Sequence, residues 1–197
     1  MDDESSAPSS VSLFVPGRLC LFGEHSDWAG ENRRFNADIN AGYCLVAGTE
    51  QGLFAKASTA AHDAGAADDE GENGWLALRS VSDSGEEQTA RLRMEPAALR
   101  VAAEEGGFYS YAAGTALVVL TRFHVRGISI DNFKTTLPMS KGLSSSAALC
   151  VLVARAFNVL FGLGLTARGE MDVAYAGEVL TPSKCGKMDQ CCAFGCG

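Results

Sequence analysis

Short apolar runs, broken by glycine, proline and polar turns, fill the first two thirds of the chain, and such runs are typical of β-strands. Phe133 interrupts the alternation of the last run, which predicts a β-bulge there. The predicted strands are residues 19–22, 42–49, 52–58, 75–81 and 127–135, with extended chain from residue 11, a turn at 16–17 and a tight turn at 50–51. Residues 60–74 and 82–88 are small and polar, so we expect solvated loops there.

Longer apolar stretches with a helical period lie between residues 95 and 180, on both sides of the last predicted strand. The predicted helices are residues 95–104, 110–123, 146–161 and 167–180, followed by a loop and short strand over 185–195. The second and third helices are apolar on most sides, so we expect them to be buried. Gly162 and Gly164 end the third helix, Thr166 caps the fourth, and Pro182 stops it. This order indicates an α+β domain with a mixed sheet and helices on one side.

Composition supports one globular domain and excludes several function classes. Of the 197 residues 47% are hydrophobic, which is enough for a substantial core over residues 11–197 behind a disordered leader at 1–10. The net charge of −8 argues against a nucleic-acid partner. No apolar run is long enough to cross a bilayer, and no secretory signal precedes the seven cysteines. We therefore expect a cytoplasmic protein with reduced thiols and no membrane partner.

The strongest candidate chemistry lies in residues 142–148, Gly-Leu-Ser-Ser-Ser-Ala-Ala. Small residues let the backbone approach a ligand closely, three hydroxyls follow, and a helix begins. The first N–H groups of a helix have no intrahelical partner and lie at the positive end of its dipole, so a phosphate is their natural ligand. Lys141 adds a positive charge beside this loop. The alternative is that Ser144 or Ser145 simply caps a core helix. The residues by themselves favour the phosphate site and the helix cap equally.

Two polar clusters are further candidates. Glu24, His25 and Asp27 follow a predicted strand and can hydrogen-bond several hydroxyls of a sugar, or they form a solvated turn. Asp189, in the segment Cys-Gly-Lys-Met-Asp-Gln at 185–190, can act as a base if it is buried beside a cation, or it is an ordinary turn residue. Glu178 is expected to be exposed at the end of its helix. With a hydroxyl such as that of Ser146 it offers the oxygen ligands that Mg²⁺ prefers.

Three motifs in this order resemble the GHMP kinases, and within them the galactokinase branch. They are Pro16-Gly17-Arg18 with Gly23-Glu24-His25-Ser26-Asp27-Trp28, then residues 142–148, and then residues 185–190. Galactokinases are similar in carrying PGR…GEHxDY, GLSSSA and CGxMDQ. The resemblance implies a fold like the second domain of ribosomal protein S5, with a mixed sheet and helices packed on one face. It also implies ATP and Mg²⁺ as cofactors and phosphoryl transfer to a sugar hydroxyl, with the anomeric hydroxyl as the expected acceptor.

The resemblance also implies a role for each matching residue. Ser146 and Glu178 would ligate Mg²⁺. Asp189 would take up the proton of the substrate hydroxyl or hold that hydroxyl in line. Arg18 would lie beside Asp189, keep it ionised and offset charge on the transferring phosphoryl group. The ATP phosphates would be cradled by Lys141, Gly142, Leu143, Ser144, Ser145, Ser146 and Ala147, and the sugar hydroxyls would be bound by Glu24, His25, Asp27 and Gly186.

Two departures from the galactokinase pattern bear on the substrate and on activity. Trp28 replaces a tyrosine, and the neighbouring residues 31–38 look like an insertion in which Arg33 or Arg34 meets a substrate carboxylate or is simply exposed. The sequence stops soon after Asp189, before the second domain that family members carry, so we expect weak or no turnover from these residues alone. The alternatives are an inactive truncated paralogue, a non-catalytic sugar- or ATP-binding regulator, and a mevalonate- or homoserine-type kinase.

Overall fold

A mixed five-stranded sheet organises the fold in the computed structural model, which describes residues 7–24, 26, 29–59, 73–138, 143–183 and 185–195. The strands are β1 (Ser10–Phe22), β2 (Leu45–Ser58), β3 (Trp75–Val81), β4 (Glu87–Arg93) and β5 (Ser129–Thr135). Their order across the sheet is β1-β2-β5-β3-β4. The β3–β5 pair is parallel, and the other three pairs are antiparallel. The predicted α+β class with a mixed sheet is confirmed.

Four α-helices and two 3-10 helices accompany the sheet within these ranges. The α-helices are α1 (Pro96–Glu105), α2 (Phe108–Arg122), α3 (Ser145–Leu160) and α4 (Ala167–Glu178), and the 3-10 helices are Ala29–Arg34 and Asp189–Phe194. The Thr166 hydroxyl accepts a hydrogen bond from the Gly169 N–H at 3.2 Å, so the predicted cap of α4 is confirmed. None of the helices in the described ranges combines the length and the apolar character that a membrane span requires.

The helices cover one face of the sheet. On β3 and β5 the side chains of Leu76, Leu78 and Ile130 alternate into the core and are at most 3% exposed. Helix α3 packs against β1 and β2 on the buried side. On the other face Arg79 and Asp131 form a half-exposed ion pair at 2.7 Å. The alternation therefore gives the sheet one apolar face and one polar face.

The first two strands are longer than the sequence predicted. We expected a turn at Pro16 and Gly17 and a second turn at residues 50–51, and both expectations are wrong. Strand β1 continues through Pro16, and the pairing shifts register between Pro16 and Arg18. Across this shift Pro16 pairs with Gly52 while Arg18 pairs with Gly48, so the irregularity is a bulge between two continuous strands. Glycine and proline therefore mark a bulge here, and not the end of a strand.

Other local predictions had mixed outcomes. The bulge at Phe133 is confirmed, because Phe54 pairs with Lys134 while Ala55 pairs with Asn132. Strand β4 was missed because its first three residues are polar and exposed, and the apolar alternation that follows covers only Ala90 and Leu92 within the strand. The short strand expected within 185–195 is wrong, since Asp189–Phe194 is a 3-10 helix. Most of the predicted loop at 60–74 and most of the predicted leader at 1–10 lie outside the described residues.

Candidate active site

Helix α3 begins with an unusual backbone conformation. Ser144 precedes it with φ 57° and ψ 47°, the left-handed region that non-glycine residues enter at a cost of about 1–2 kcal/mol. The Ser144 side chain makes no capping hydrogen bond, and Ser145 is already the first helical residue. The interpretation of this loop as an ordinary serine cap therefore fails. Of the predicted phosphate cradle, Lys141 and Gly142 lie outside the described residues.

The bulge of β1 touches this loop directly. A Cβ atom added to Gly17 would lie 3.1 Å from the Leu143 carbonyl oxygen and would overlap the side chain of Leu137. Glycine is thus required for the close approach of the two segments. The approach brings Arg18, the next residue of β1, to the same end of the domain as the start of α3.

The Ser146 hydroxyl and the Glu178 carboxylate are joined at the N-terminal end of α3. Ser146 Oγ donates a hydrogen bond to Glu178 Oε1 at 2.8 Å, and Gln190 Nε2 donates one to Glu178 Oε2 at 2.6 Å. Glu178 is only 1% exposed, so the expectation of an exposed helix end is wrong. Burial raises the pKa of this carboxyl group above its usual value, with the Asp189 charge acting in the same direction and the hydrogen bonds from Ser146 and Gln190 opposing it.

Glu178 is buried because α4 ends against α2. A Cβ atom on Gly177 would lie 2.5 Å from the Thr115 Cα atom, and one on Gly114 would overlap the Gly177 carbonyl. The two helix backbones therefore meet at a pair of glycines. This contact carries the next residue, Glu178, into the interior.

Arg18 and Asp189 form an ion pair across the fold. Arg18 Nε donates to Asp189 Oδ1 at 3.0 Å, and the Nη2 group contacts the same oxygen. The arginine is 8% exposed, whereas 23% of the aspartate side chain remains accessible. The structure thus brings together two predicted catalytic residues that are 171 positions apart in the sequence. The aspartate stays open to a small ligand from one side.

The candidate substrate residues are only partly described. Glu24 is exposed after β1, Gly186 is half-buried before the last 3-10 helix, and His25 and Asp27 lie outside the described residues. The turn after β1 is tied to the segment before β2, because Ser26 Oγ donates to the Tyr43 carbonyl at 2.9 Å. This tie fixes one side of the turn that the sequence linked to a sugar.

A cavity of about 100 Å³ lies next to the start of α3, and sequence reasoning missed it. Its wall includes Ser145 of α3, Leu53 of β2, Phe108 of α2 and Thr135 of β5, with Gln88 of β4 at the same opening. These residues come from five separate elements. No linear pattern could have indicated their proximity.

Arg155 is a second group that sequence reasoning missed. From α3 its guanidinium donates to Glu170 Oε2 at 2.9 Å, to the Phe14 carbonyl at 3.2 Å and to the Ala193 carbonyl at 2.5 Å. It therefore joins α4, β1 and the 3-10 helix that begins with Asp189. An arginine within an apolar helical run is the signal that could have indicated it.

Residues 110–197 match the protein family described as GHMP kinases N terminal domain. This segment contains the loop at 142–148, Glu178 and Asp189, whereas Arg18 and the turn after β1 precede it. No curated protein sequence matches the chain.

Solved structures of kinases share the fold. Lactococcus lactis galactokinase complexed with galactose is similar with a TM-score of 0.63 and 21% identity, over 93% of this chain and 41% of that chain. Methanococcus jannaschii mevalonate kinase gives a TM-score of 0.61 at 16% identity, over 98% and 52%. A D-glycero-D-manno-heptose 1-phosphate kinase from Bacteriodes thetaiotaomicron gives 0.59 at 20% identity, over 92% and 52%. The chain spans about half the length of the solved structures that it matches.

Proposed function

We propose that this chain carries the ATP- and acceptor-binding fold of a GHMP-type kinase that transfers a phosphoryl group from ATP to a sugar hydroxyl, as galactokinases do at the anomeric position. The observation that carries the proposal is the meeting of two polar pairs near the start of α3. Arg18 contacts Asp189, and Ser146 contacts Glu178. Gln190, the residue after Asp189, donates a hydrogen bond to Glu178 and so connects the two pairs. The family match over residues 110–197 supports the same class of reaction.

The start of α3 is the proposed phosphate site. The first N–H groups of a helix have no intrahelical partner, and here they follow a strained Ser144, a backbone conformation that is typical of a ligand-binding loop. The adjoining cavity offers the apolar side chains of Leu53 and Phe108 together with the polar Gln88, which suits a nucleotide base. We assign the phosphates to residues 141–147 and the base of ATP to this cavity.

Ser146 and Glu178 fit Mg²⁺ by the chemistry of their donor atoms. A hydroxyl oxygen and a carboxylate oxygen lie 2.8 Å apart, and Mg²⁺ commonly takes one or two protein oxygens together with phosphate oxygens and water. When bound, the ion neutralises charge on the phosphates of ATP. Ser146 and Glu178 would hold it beside the phosphate site.

Asp189 is the proposed partner of the acceptor hydroxyl. Its carboxylate is partly accessible and is engaged by Arg18 on one side. Because Arg18 already engages one oxygen of this carboxylate, we assign Asp189 mainly to holding the hydroxyl in line. Arg18 then lies where it can offset negative charge on the transferring phosphoryl group.

A sugar is the proposed acceptor because the turn after β1 is rich in polar side chains. Donors and acceptors for several hydroxyls come from Glu24, His25 and Asp27 of the first motif, together with Gly186 of the third motif. Arg33 or Arg34, in the neighbouring 3-10 helix, would favour a sugar acid if either reaches the site. Mevalonate and homoserine are the competing acceptor classes.

Asp189→Asn tests the assignment of the transfer step. In the protein expressed from the full gene, with ATP, Mg²⁺ and a panel of sugars, sugar acids, mevalonate and homoserine, we expect product formation to fall at least about 100-fold in this variant. Binding of ATP, measured by calorimetry, should stay within about twofold. Asp131→Asn is the matched control, because it also removes an aspartate from an arginine pair, on the polar face of the sheet. Transfer that survives in Asp189→Asn would contradict the role of Asp189.

The same panel separates an enzyme from a regulator. A regulator would bind ATP and one sugar with no product in either the wild type or the variant of the protein expressed from the full gene. Failure of the wild-type chain to bind ATP in the presence of Mg²⁺ would contradict the proposed function as a whole.

A further inference from the structure

We propose that Gln190 is a positioning residue that orients Glu178, the proposed metal-binding carboxylate. This inference rests on the proposed function and adds a residue to which neither the sequence nor the family resemblance gave a role. Its evidence is the environment of one amide group in the interior.

The amide nitrogen of Gln190 fixes the orientation of Glu178. Gln190 is fully buried, and its Nε2 donates to Glu178 Oε2 at 2.6 Å while Ser146 holds Oε1 at 2.8 Å. With one donor on each oxygen, the carboxylate cannot rotate about its last bond without losing a hydrogen bond. Outer partners of this kind orient the groups that bind a metal ion.

The amide oxygen of the same side chain has no hydrogen-bond partner within the described part of the chain. Gln190 Oε1 is buried, and an unpaired buried acceptor costs about 1–3 kcal/mol. Exchanging the amide oxygen and nitrogen would not remove that cost, because an oxygen would then face the Glu178 carboxylate. The orientation of the amide is therefore set by Glu178, and Oε1 remains in need of a donor.

The side chain keeps this orientation despite that cost, and its one hydrogen bond to a carboxylate is the bond to Glu178. A methionine or leucine would fill the same space without leaving a polar group unpaired, so packing alone does not account for a glutamine here.

The test measures metal binding rather than turnover. Mn²⁺, which reports by electron paramagnetic resonance, stands in for Mg²⁺ in a titration of the full chain with ADP present. We expect Gln190→Met to weaken Mn²⁺ binding about tenfold. The affinity for ADP in the presence of a chelator should stay within about twofold. Gln51→Met, the same change at an exposed position of β2, should leave both affinities unchanged.

A second variant keeps the test decisive if Gln190→Met does not fold. Gln190→Asn retains a core amide that is one carbon too short to reach Glu178, and we expect the same tenfold loss. Mn²⁺ affinity equal to wild type in either folded variant overturns the role of Gln190 and leaves the proposed function standing. Absence of ADP-dependent Mn²⁺ binding in the wild type overturns both.

Discussion

Ser144 shows how much a single residue can reveal about a loop. It is the one non-glycine residue with a positive φ in the described ranges, and it lies directly before the proposed phosphate site. The surrounding structure must enforce this conformation, because an isolated serine would leave it. A strained residue directly before the first N–H groups of a helix is consistent with a loop shaped for a ligand.

Substitutions at Ser144 should follow backbone strain. We expect Ser144→Val to lower the free energy of unfolding by more than about 1 kcal/mol, because a β-branched side chain tolerates the left-handed region poorly. Ser144→Gly should be neutral or more stable by up to about 1 kcal/mol. Urea unfolding provides both values. Ser129→Val in the extended backbone of β5 is the control, and a similar cost there would assign the effect to polarity and not to φ.

The Glu178 carboxyl predicts a pH-dependent stability. Burial raises its pKa above the usual value of about 4.5, so the folded state binds the proton more tightly than the unfolded state. That stabilisation is complete below the unfolded pKa and is lost as the pH rises through the folded pKa. Glu178→Gln has no proton to lose, so its stability relative to wild type should increase as the pH rises above about 4.5. A difference in unfolding free energy that is constant with pH would contradict this expectation.

The neighbouring thiols should be unreactive although one is half-buried. Burial and the negative charge of Glu178 raise the pKa of the Cys185 thiol to about 12, and burial raises that of Cys192 to about 12. At pH 8 we expect iodoacetamide to modify both about a thousandfold more slowly in the folded protein than in urea, since the thiolate is the reactive form. Mass spectrometry after timed quenching measures this. Equal rates in the two states would show that the thiols are ionised in the fold.

At the scale of elements, the crossing of α2 and α4 positions the carboxylate. The Gly114–Gly177 contact lets the two backbones meet, and Glu178 follows immediately. Gly177→Ala should therefore destabilise the fold by about 1–3 kcal/mol through overpacking. It should also weaken Mn²⁺ binding in the assay described above.

Gly169→Ala is the matched control on the same helix. A Cβ atom there would lie 3.4 Å from the Leu165 side chain, an ordinary contact, so higher helix propensity should make this variant equal to wild type or up to about 1 kcal/mol more stable. A loss of stability in Gly169→Ala similar to that in Gly177→Ala would show that α4 rejects any added methyl group and that the crossing is not special.

The elements also show which parts of the fold were accessible from the sequence. Helix α3 carries a long apolar run that ends at glycines, and helix α4 carries a threonine cap. These local signals suffice to predict both helices from the sequence. Strands β1 and β2 contain glycine and proline, which usually mark turns. In the paired strands these residues lie in a β-bulge instead. Pairing is a non-local interaction. Edge strand β4 begins with exposed polar residues, and its hydrophobic alternation is limited to Ala90 and Leu92, which is too short to predict a strand.

At the scale of the whole molecule, Arg155 joins parts that are distant in sequence. It pairs with Glu170, which is 5% exposed, and reaches carbonyl groups of β1 and of the last 3-10 helix. Arg155→Met should leave a buried carboxylate without its cation and lower the free energy of unfolding by about 3–5 kcal/mol.

The control for this substitution is Arg122→Met at the exposed end of α2, where we expect less than about 0.5 kcal/mol. Urea midpoints of the two variants measure the difference. Equal midpoints would show that Arg155 contributes no more than a surface arginine. Adding Glu170→Gln to Arg155→Met should recover part of the loss, because the uncompensated charge is then removed.

The candidate site could be anticipated only in part. The three motifs pointed to residues that the fold does place near one another, such as Arg18 with Asp189 and Ser146 with Glu178. The sequence could not indicate that Glu178 is buried, because its burial depends on a glycine contact between two helices. Nor could it indicate that Gln190, which follows Asp189 in the sequence, donates a hydrogen bond to Glu178. The assigned roles of these residues remain predictions.

The Arg18–Asp189 pair also constrains when the site can form. Its two residues are 171 positions apart, and closing so long a loop costs entropy that only a largely assembled core can offset. A ribosome releases β1 well before the last 3-10 helix, so the start of α3 can bind an anion before Asp189 has a place to dock. In refolding experiments, protection of the backbone amides of Asp189–Phe194 should therefore appear after that of β2, β5 and α3. The ability to hold an acceptor would then be the last property this domain acquires as it folds.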